Sequence, residues 1–418
     1  MVICTDWVRG FVTYANTEEV EDKVGDAENG KLRLMKQTNV AGDWARYAQM
    51  TREERLQAFK RCTIEHPHLL VAGQALHDVI QEPGGASLIF VCGPASVGKT
   101  TLKNYVIEAT ETEMMFASLA DEEHPILTML ARPPLNASFG WRDFLQSGLL
   151  AVKQLPEQRM ALHASNDEEH TRVDWPKESR TKRRFAEGMK EDDLRLSLEA
   201  AIKRCRPVAV IVDDAQHLGR ASRDRQLQNQ VDCIKSLADV TETIFVLIGT
   251  YELLPLRRLS AQLIGRSLDI HFSRYGSTEE ELSQFRKVLS TFQKCLPFEE
   301  ETDILLKHWE YCYERSLGCV GMLHHMLVRA IHSALWADEE TLTEKYLKRF
   351  AFSEAVCYEM MRETYEGERE FAFSCGDTGL RQMLGLKPQV TSKREITFTP
   401  RRSSPLGEKR QALRDHME

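Results

Sequence analysis

One short glycine-rich turn limits the folds open to this chain more than any other feature. The segment FVCGPASVGKT, from Phe90 to Thr100, reads Gly93-x4-Gly98-Lys99-Thr100. Such a turn is useful only between a strand that delivers it and a helix that it opens. The flanks agree: the apolar run 87–92 precedes it and a helical pattern starts at Lys99. Four more short apolar runs follow, PILTML (125–130), VAVIV (208–212), IFVLIG (244–249) and LDIHF (268–272). Nearly unbroken apolar runs of this length are strands covered on both faces. Helical patterns separate them, as in EDDLRLSLEAAIKRC (191–205) and QNQVDCIKSLADV (228–240). Alternating strands and helices predict a parallel three-layer α/β domain.

After Gly276 the strand pattern stops. STEEELSQFRKVLSTF, ETDILLKHWEYCYERS, VGMLHHMLVRAIHSALW and TLTEKYLKRFAFSEAVCYEMMRE all have helical periodicity, and STEE (277–280) reads as a capping box. Upstream, helices are expected over 51–64 and 66–81, the second ended by Pro83-Gly84-Gly85. Beyond Gly376 the chain is rich in Pro, Ser and Arg and poor in large apolar residues, the composition of a flexible tail.

The glycine turn carries chemistry. Residues Gly93, Pro94, Ala95, Ser96, Val97, Gly98, Lys99, Thr100 and Thr101 can turn backbone N–H groups toward the phosphates of a nucleotide, at the positive end of a helix. Lys99 would reach the β and γ phosphates, and the Thr100 hydroxyl would ligate Mg2+. VAVIVDDAQHL (208–218) ends a strand on Asp213, whose carboxylate would hold the shell of the magnesium, and Asp214 follows to orient or deprotonate an attacking water. VLIGTYELL (246–254) offers the Thr250 hydroxyl as a γ-phosphate sensor. The segment 256–276 offers Arg257, Arg258, Arg266 and Arg274, any of which could face the nucleotide of a neighbouring subunit.

Composition excludes several alternatives. At 418 residues the chain should hold two or three structural units. No apolar run approaches the ~20 residues needed to cross a bilayer, and MVICTDWVRGFVTYANTEEVEDK lacks a basic start followed by an apolar core, so neither a membrane partner nor a secretory signal is expected. Ten cysteines without a CxxC pair fit reduced thiols in a cytoplasm rather than a zinc site. The net charge is −8, but its sign is uneven. Lys177, Arg180, Lys182, Arg183, Arg184 and Lys190 form a basic cluster, and Asp377 to Glu418 holds nine Lys and Arg against five Asp and Glu. Such local patches are what phosphate backbones meet, so the first five of these residues are the candidate DNA contacts.

Together these stretches resemble the AAA+ ATPases, and more closely the transposition ATP-binding proteins of the TniB/TnsC type. HPHLLVAGQAL, GPASVGKTTL, ARPPLNASFGWRDFLQSGLLAV, VAVIVDDAQHL, VLIGTYELL, AQLIGRSLDIHFSRYG and SLGCVGMLHHMLVRAI follow the order of that family over about residues 64–335. The resemblance implies an AAA+ P-loop NTPase fold: a three-layer parallel sheet, a C-terminal helical lid and a flexible basic tail. The corresponding bounds are an N-terminal extension at 1–60, the nucleotide-binding α/β domain at 61–275, the lid at 276–365 and the tail at 366–418. It also implies ATP hydrolysis with Mg2+, Arg266 as a finger acting in trans, and homo-oligomeric rings or filaments on double-stranded DNA that link a target selector to a transposase. The chain departs from the pattern at two places. Asp214 stands where most such hydrolases have Glu, which implies either slow turnover or a water held closer, and GCVGML lacks the arginine that many AAA+ lids carry. A signalling or defence ATPase without a DNA role is the alternative; a small-molecule or nucleoside kinase is disfavoured by the appended helices and basic tail.

Overall fold

The computed structural model describes Tyr47, residues 49–116, 126–133, 139–164, 189–219, 224–258, 266–298 and 303–372, and Leu384. Two helices come first, α1 (Arg52–Lys60) and α2 (Pro67–Gln81). The α/β region follows with β1 (Leu88–Cys92), α3 (Lys99–Phe116), β2 (Leu127–Leu130), α4 (Trp141–Ala164), α5 (Glu191–Cys205), β3 (Ala209–Asp213), α6 (Gln216–Gly219), α7 (Asp224–Thr241), β4 (Ile244–Gly249), α8 (Leu254–Arg258) and β5 (Ser267–His271). The five strands pair in the order β2-β3-β4-β1-β5, every pair parallel.

Alternate residues of the strands feed two separate cores. Leu88, Phe90, Val210, Val212, Phe245 and Leu247 face one layer of helices. Ile89, Val91, Ile211, Val246 and Ile248 face the other. That alternation is the period-two geometry of a strand buried on both sides, and it makes the sheet the middle of three layers. All five strands expected from the apolar runs are present.

The helical unit consists of α9 (Glu279–Lys294), α10 (Ile304–Lys307), α11 (Trp309–Ser316), α12 (Val320–Trp336), α13 (Glu344–Phe350) and α14 (Glu354–Ala372). Two of the four helical stretches read from the sequence are thus broken into pairs. The N-cap of α9 is Thr278, not Ser277; its side chain accepts from the Glu281 N–H, while the Glu281 carboxylate accepts from Gly276 N–H at 2.9 Å. The capping box is therefore open here, and a closed one occurs at Thr51–Glu54.

The structure differs from the sequence-derived limits at both ends of the described chain. Helix α1 lies within 1–60, yet Leu56 and Phe59 are buried among Phe285, Phe292, Leu323 and Leu327 of the helical unit. Its apolar side has nowhere else to go. At the other end α14 continues to Ala372, past the limit set at 366. Gly367 there lies against the Tyr251 ring and Phe371 stacks on His271 at 4.5 Å, so tertiary contacts hold a segment whose composition alone reads as polar. Among the described residues no helix is long and apolar enough to cross a membrane.

Candidate nucleotide site

In a parallel sheet all strands end on the same edge, and that edge gathers the chemistry. Cys92 of β1 is level with Gly249 of β4, and Gly93 N–H donates to Gly249 O at 3.3 Å. Asp213 closes β3 beside Leu130 of β2. The glycine turn, Asp213, Asp214 and Thr250 therefore share one rim, as the sequence predicts.

The turn runs from Gly93 to Gly98 and opens α3 at Lys99. Gly98 adopts φ +120°, a conformation closed to side chains, and Ser96 sits at φ +57°. A serine there carries backbone strain of about 1 kcal/mol. Lys99 folds back over the turn, its Nζ donating to Pro94 O at 2.7 Å and Gly93 O at 3.1 Å. Both partners are neutral carbonyls. Burial lowers the Lys99 pKa to about 8, with nearby Asp214 and Asp213 among the groups that partly oppose the fall. A partly buried cation without an anion in contact fits the polyphosphate of a nucleotide. Thr100 is exposed at the start of the helix.

Asp213 is 8% exposed. Its Oδ1 accepts from the Asp214 N–H at 3.0 Å, and its Oδ2 accepts from Lys103 Nζ at 2.6 Å. Asp214 is exposed and left-handed, at φ +52°. Gln216 ties it to the next strand: Nε2 donates to Asp214 Oδ1 at 3.2 Å, while Oε1 accepts from Thr250 N–H at 3.4 Å. The Thr250 hydroxyl oxygen is buried and has no hydrogen-bond partner among the described residues. An orphaned donor on this rim fits a phosphate oxygen.

The helical unit meets the turn directly. Met322 N–H at the start of α12 donates to Ser96 O at 3.0 Å. A Cβ on Gly321 would lie 2.5 Å from the same oxygen. A side chain at Gly321 would collide with the backbone of the turn, so α12 approaches the turn with backbone alone.

The arginines separate. Arg266 precedes β5, and its carbonyl accepts from Ser87 and Leu88 N–H, at the start of β1. It stands at the opposite edge of the sheet, about 16 Å from the turn for a five-residue strand. Its side chain is 61% exposed and faces Asp239 Oδ1 at 3.7 Å. Arg274 instead lies past β5 and is held by α14: Nε donates to Glu368 Oε1 at 2.9 Å and Nη2 to Oε2 at 3.2 Å. Arg274 is thereby committed within its own chain. The side chains of Arg257 and Arg258, and Lys177, Arg180, Lys182, Arg183 and Arg184 entire, lie outside the described residues; Lys190 is described, as the exposed N-cap of α5.

Sequence reasoning missed Lys103, Gln216, Gly321 and Glu368. Lys103 alone had a local signal, four residues after Lys99 on one helix face. The other three owe their positions to tertiary contacts.

The strand order and the glycine turn define the AAA+ P-loop NTPase fold, with a helical lid. Residues 81–256 match the family described as AAA domain. No curated protein matches the chain by sequence. Among solved structures the chain is similar to the Aeropyrum pernix ORC1 protein in complex with DNA, at 15% identity and a TM-score of 0.45 over 68% of this chain and 64% of that one. It is also similar to a Walker-type ATPase of Pyrococcus abyssi, at 14% identity and TM-score 0.41 over 72% and 75% of the two chains. Drosophila ORC bound to DNA gives 13% identity and TM-score 0.41 over 89% and 88%. The chain spans just under two thirds of the first two solved structures it matches, 64% of Aeropyrum pernix ORC1 and 66% of Aeropyrum pernix ORC2.

Proposed function

We propose that this protein is an ATP-dependent, DNA-binding AAA+ regulator of DNA transposition of the TniB/TnsC type. It assembles as rings or filaments on double-stranded DNA in the cytoplasm and links a target selector to a transposase. The observation that carries the ATP part is Lys99, a partly buried ammonium whose hydrogen bonds go to two carbonyls of its own turn. The DNA and transposition parts rest on the family stretches and the basic cluster of the sequence.

Each residue has a task that follows from its position. Lys99 exchanges two loop carbonyls for phosphate oxygens. The turn's N–H groups and the start of α3 stabilise the remaining negative charge. Magnesium, when bound, supplies charge neutralisation on the phosphates, with Thr100 and Asp213 as the residues that would hold it. Asp214 accepts a proton from, or orients, the attacking water. Its carboxyl is one methylene shorter than Glu and is tied to Gln216, which favours slow turnover. Thr250 donates its free hydroxyl toward the terminal phosphate. Arg266 is too far from its own turn to act there, so it serves the site of the next copy, and one copy alone is incomplete.

The test is ATP turnover with and without double-stranded DNA over a range of salt. Turnover should rise with DNA, and the rise should fade steeply as salt releases the counterion advantage. Turnover indifferent to DNA at every salt concentration would favour the signalling or defence ATPase instead.

A further inference from the structure

Asp213 is the carboxylate expected to serve magnesium, and each of its oxygens already accepts a hydrogen bond. Oδ1 holds the Asp214 N–H at 3.0 Å and Oδ2 holds the Lys103 ammonium at 2.6 Å. The pair is well buried, with side-chain exposures of 14% for Lys103 and 11% for Asp213. We propose that Lys103 is the resident counter-cation of Asp213: it neutralises the carboxylate in the nucleotide-free protein, magnesium must displace it, and Lys103 thereby sets how strongly nucleotide binding depends on the metal. The inference rests on the nucleotide-site reading given above.

Three physical points support it. A carboxylate buried to this degree needs a cation, and breaking such a pair leaves an uncompensated charge. A lysine suits an exchangeable role, because its compact charge rides on a flexible four-carbon stem, whereas arginine would hold the carboxylate in a two-pronged grip. Finally, Lys103 is one helical turn beyond Lys99 on α3, so both ammoniums project from one face of that helix toward the phosphate rim. A positive charge that is present before the metal arrives can also attract a metal-free nucleotide.

The experiment measures affinity for a fluorescent ATP analogue in EDTA and across a MgCl2 titration, for the wild type, Lys103→Met and Lys103→Arg. Wild type should bind measurably in EDTA and gain only severalfold from magnesium. Lys103→Met should lose about tenfold in EDTA, because a nearby cation is gone, and should half-saturate at about threefold less magnesium, because Asp213 is free. Lys103→Arg keeps the pair and should need more magnesium than wild type. Should Lys103→Met fail to fold, the arginine variant decides alone: a half-saturating magnesium concentration no higher than that of wild type overturns the proposal. So does a magnesium curve for Lys103→Met that superimposes on wild type.

A second readout separates this idea from the nucleotide reading. Melting temperatures are recorded in MgCl2 without nucleotide. Magnesium should raise the melting temperature of Lys103→Met and leave wild type nearly unchanged. If wild type binds no nucleotide under any condition, the nucleotide reading fails, and this metal-only comparison still judges Lys103: equal responses of the two proteins overturn its role.

Discussion

The two edges of the sheet differ in what they keep. The edge where the strands end holds the glycine turn, Asp213, Asp214 and Thr250, and nearly every polar group there is engaged by a neighbour: Lys99 by two carbonyls, Asp213 by Lys103, Asp214 by Gln216, Arg274 by Glu368. The edge where the strands begin holds Arg266, loosely set against Asp239 and mostly exposed. One edge turns its polar groups inward, onto partners within the chain. The other offers a cation outward. On the proposed function a single copy carries most of a hydrolytic site and the complement of another, and the separation of about one strand length keeps the two from meeting internally.

The largest effect should come from breaking the outward edge. Arg266→Ala should bind ATP as a monomer with wild-type affinity but lose about 10³-fold or more in turnover, the scale on which a trans arginine acts. Asp214→Asn should also be inactive while leaving the interface whole. Mixing the two variants restores some interfaces that carry both intact residues, so part of the activity should return. Mixtures that stay inactive at every ratio would remove Arg266 from the trans role.

A smaller effect tests the inward edge. Lys99 has its pKa lowered to about 8 by burial, against an ordinary 10.5. Phosphates favour the charged lysine, so ATP affinity should be flat near pH 7 and fall as pH rises through about 8, by up to tenfold per unit. The empty protein should show the opposite trend. Its unfolded chain binds the proton more tightly, so stability should increase between about pH 8 and 10.5. Calorimetric titration of ATP from pH 7 to 9.5 reads the first trend and thermal melting the second; an ATP affinity without slope would mean Lys99 does not meet the phosphates.

The smallest effect sharpens the comparison. Asp239→Asn removes an exposed partner from Arg266, and such pairs contribute about 0–1 kcal/mol. Melting should barely move and turnover should change less than severalfold. If Asp239→Asn instead matched Arg266→Ala, the outward edge would work as a pair rather than through its arginine.

These edges were unequally legible in the sequence. The strands were readable because burial on both faces leaves an unbroken apolar run, as in LIFVC and AVIVD. Gly98, Lys99, Thr100, Asp213 and Thr250 were readable because each sits at a strand end or helix start that a local pattern marks. Gln216 was not, since its role depends on β3 and β4 lying side by side. Glu368 was not, since it is 94 residues from Arg274. The limits at 60 and 366 followed composition, whereas Phe59 and Phe371 answer to partners far along the chain.

The contact of Gly321 with Ser96 makes α12 a lever with its fulcrum on the nucleotide turn. Backbone meets backbone there, with no side chain between to act as a cushion. A helix of 17 residues is about 25 Å long, so a tilt of about 5° at its first turn carries the far end through about 2 Å. That end bears Trp336, 42% exposed. Because Leu323, Met326, Leu327, Ala330 and Ile331 of α12 are fully buried in the helical core, such a tilt would have to carry the packed helices with it, and the Trp336 indole would report it.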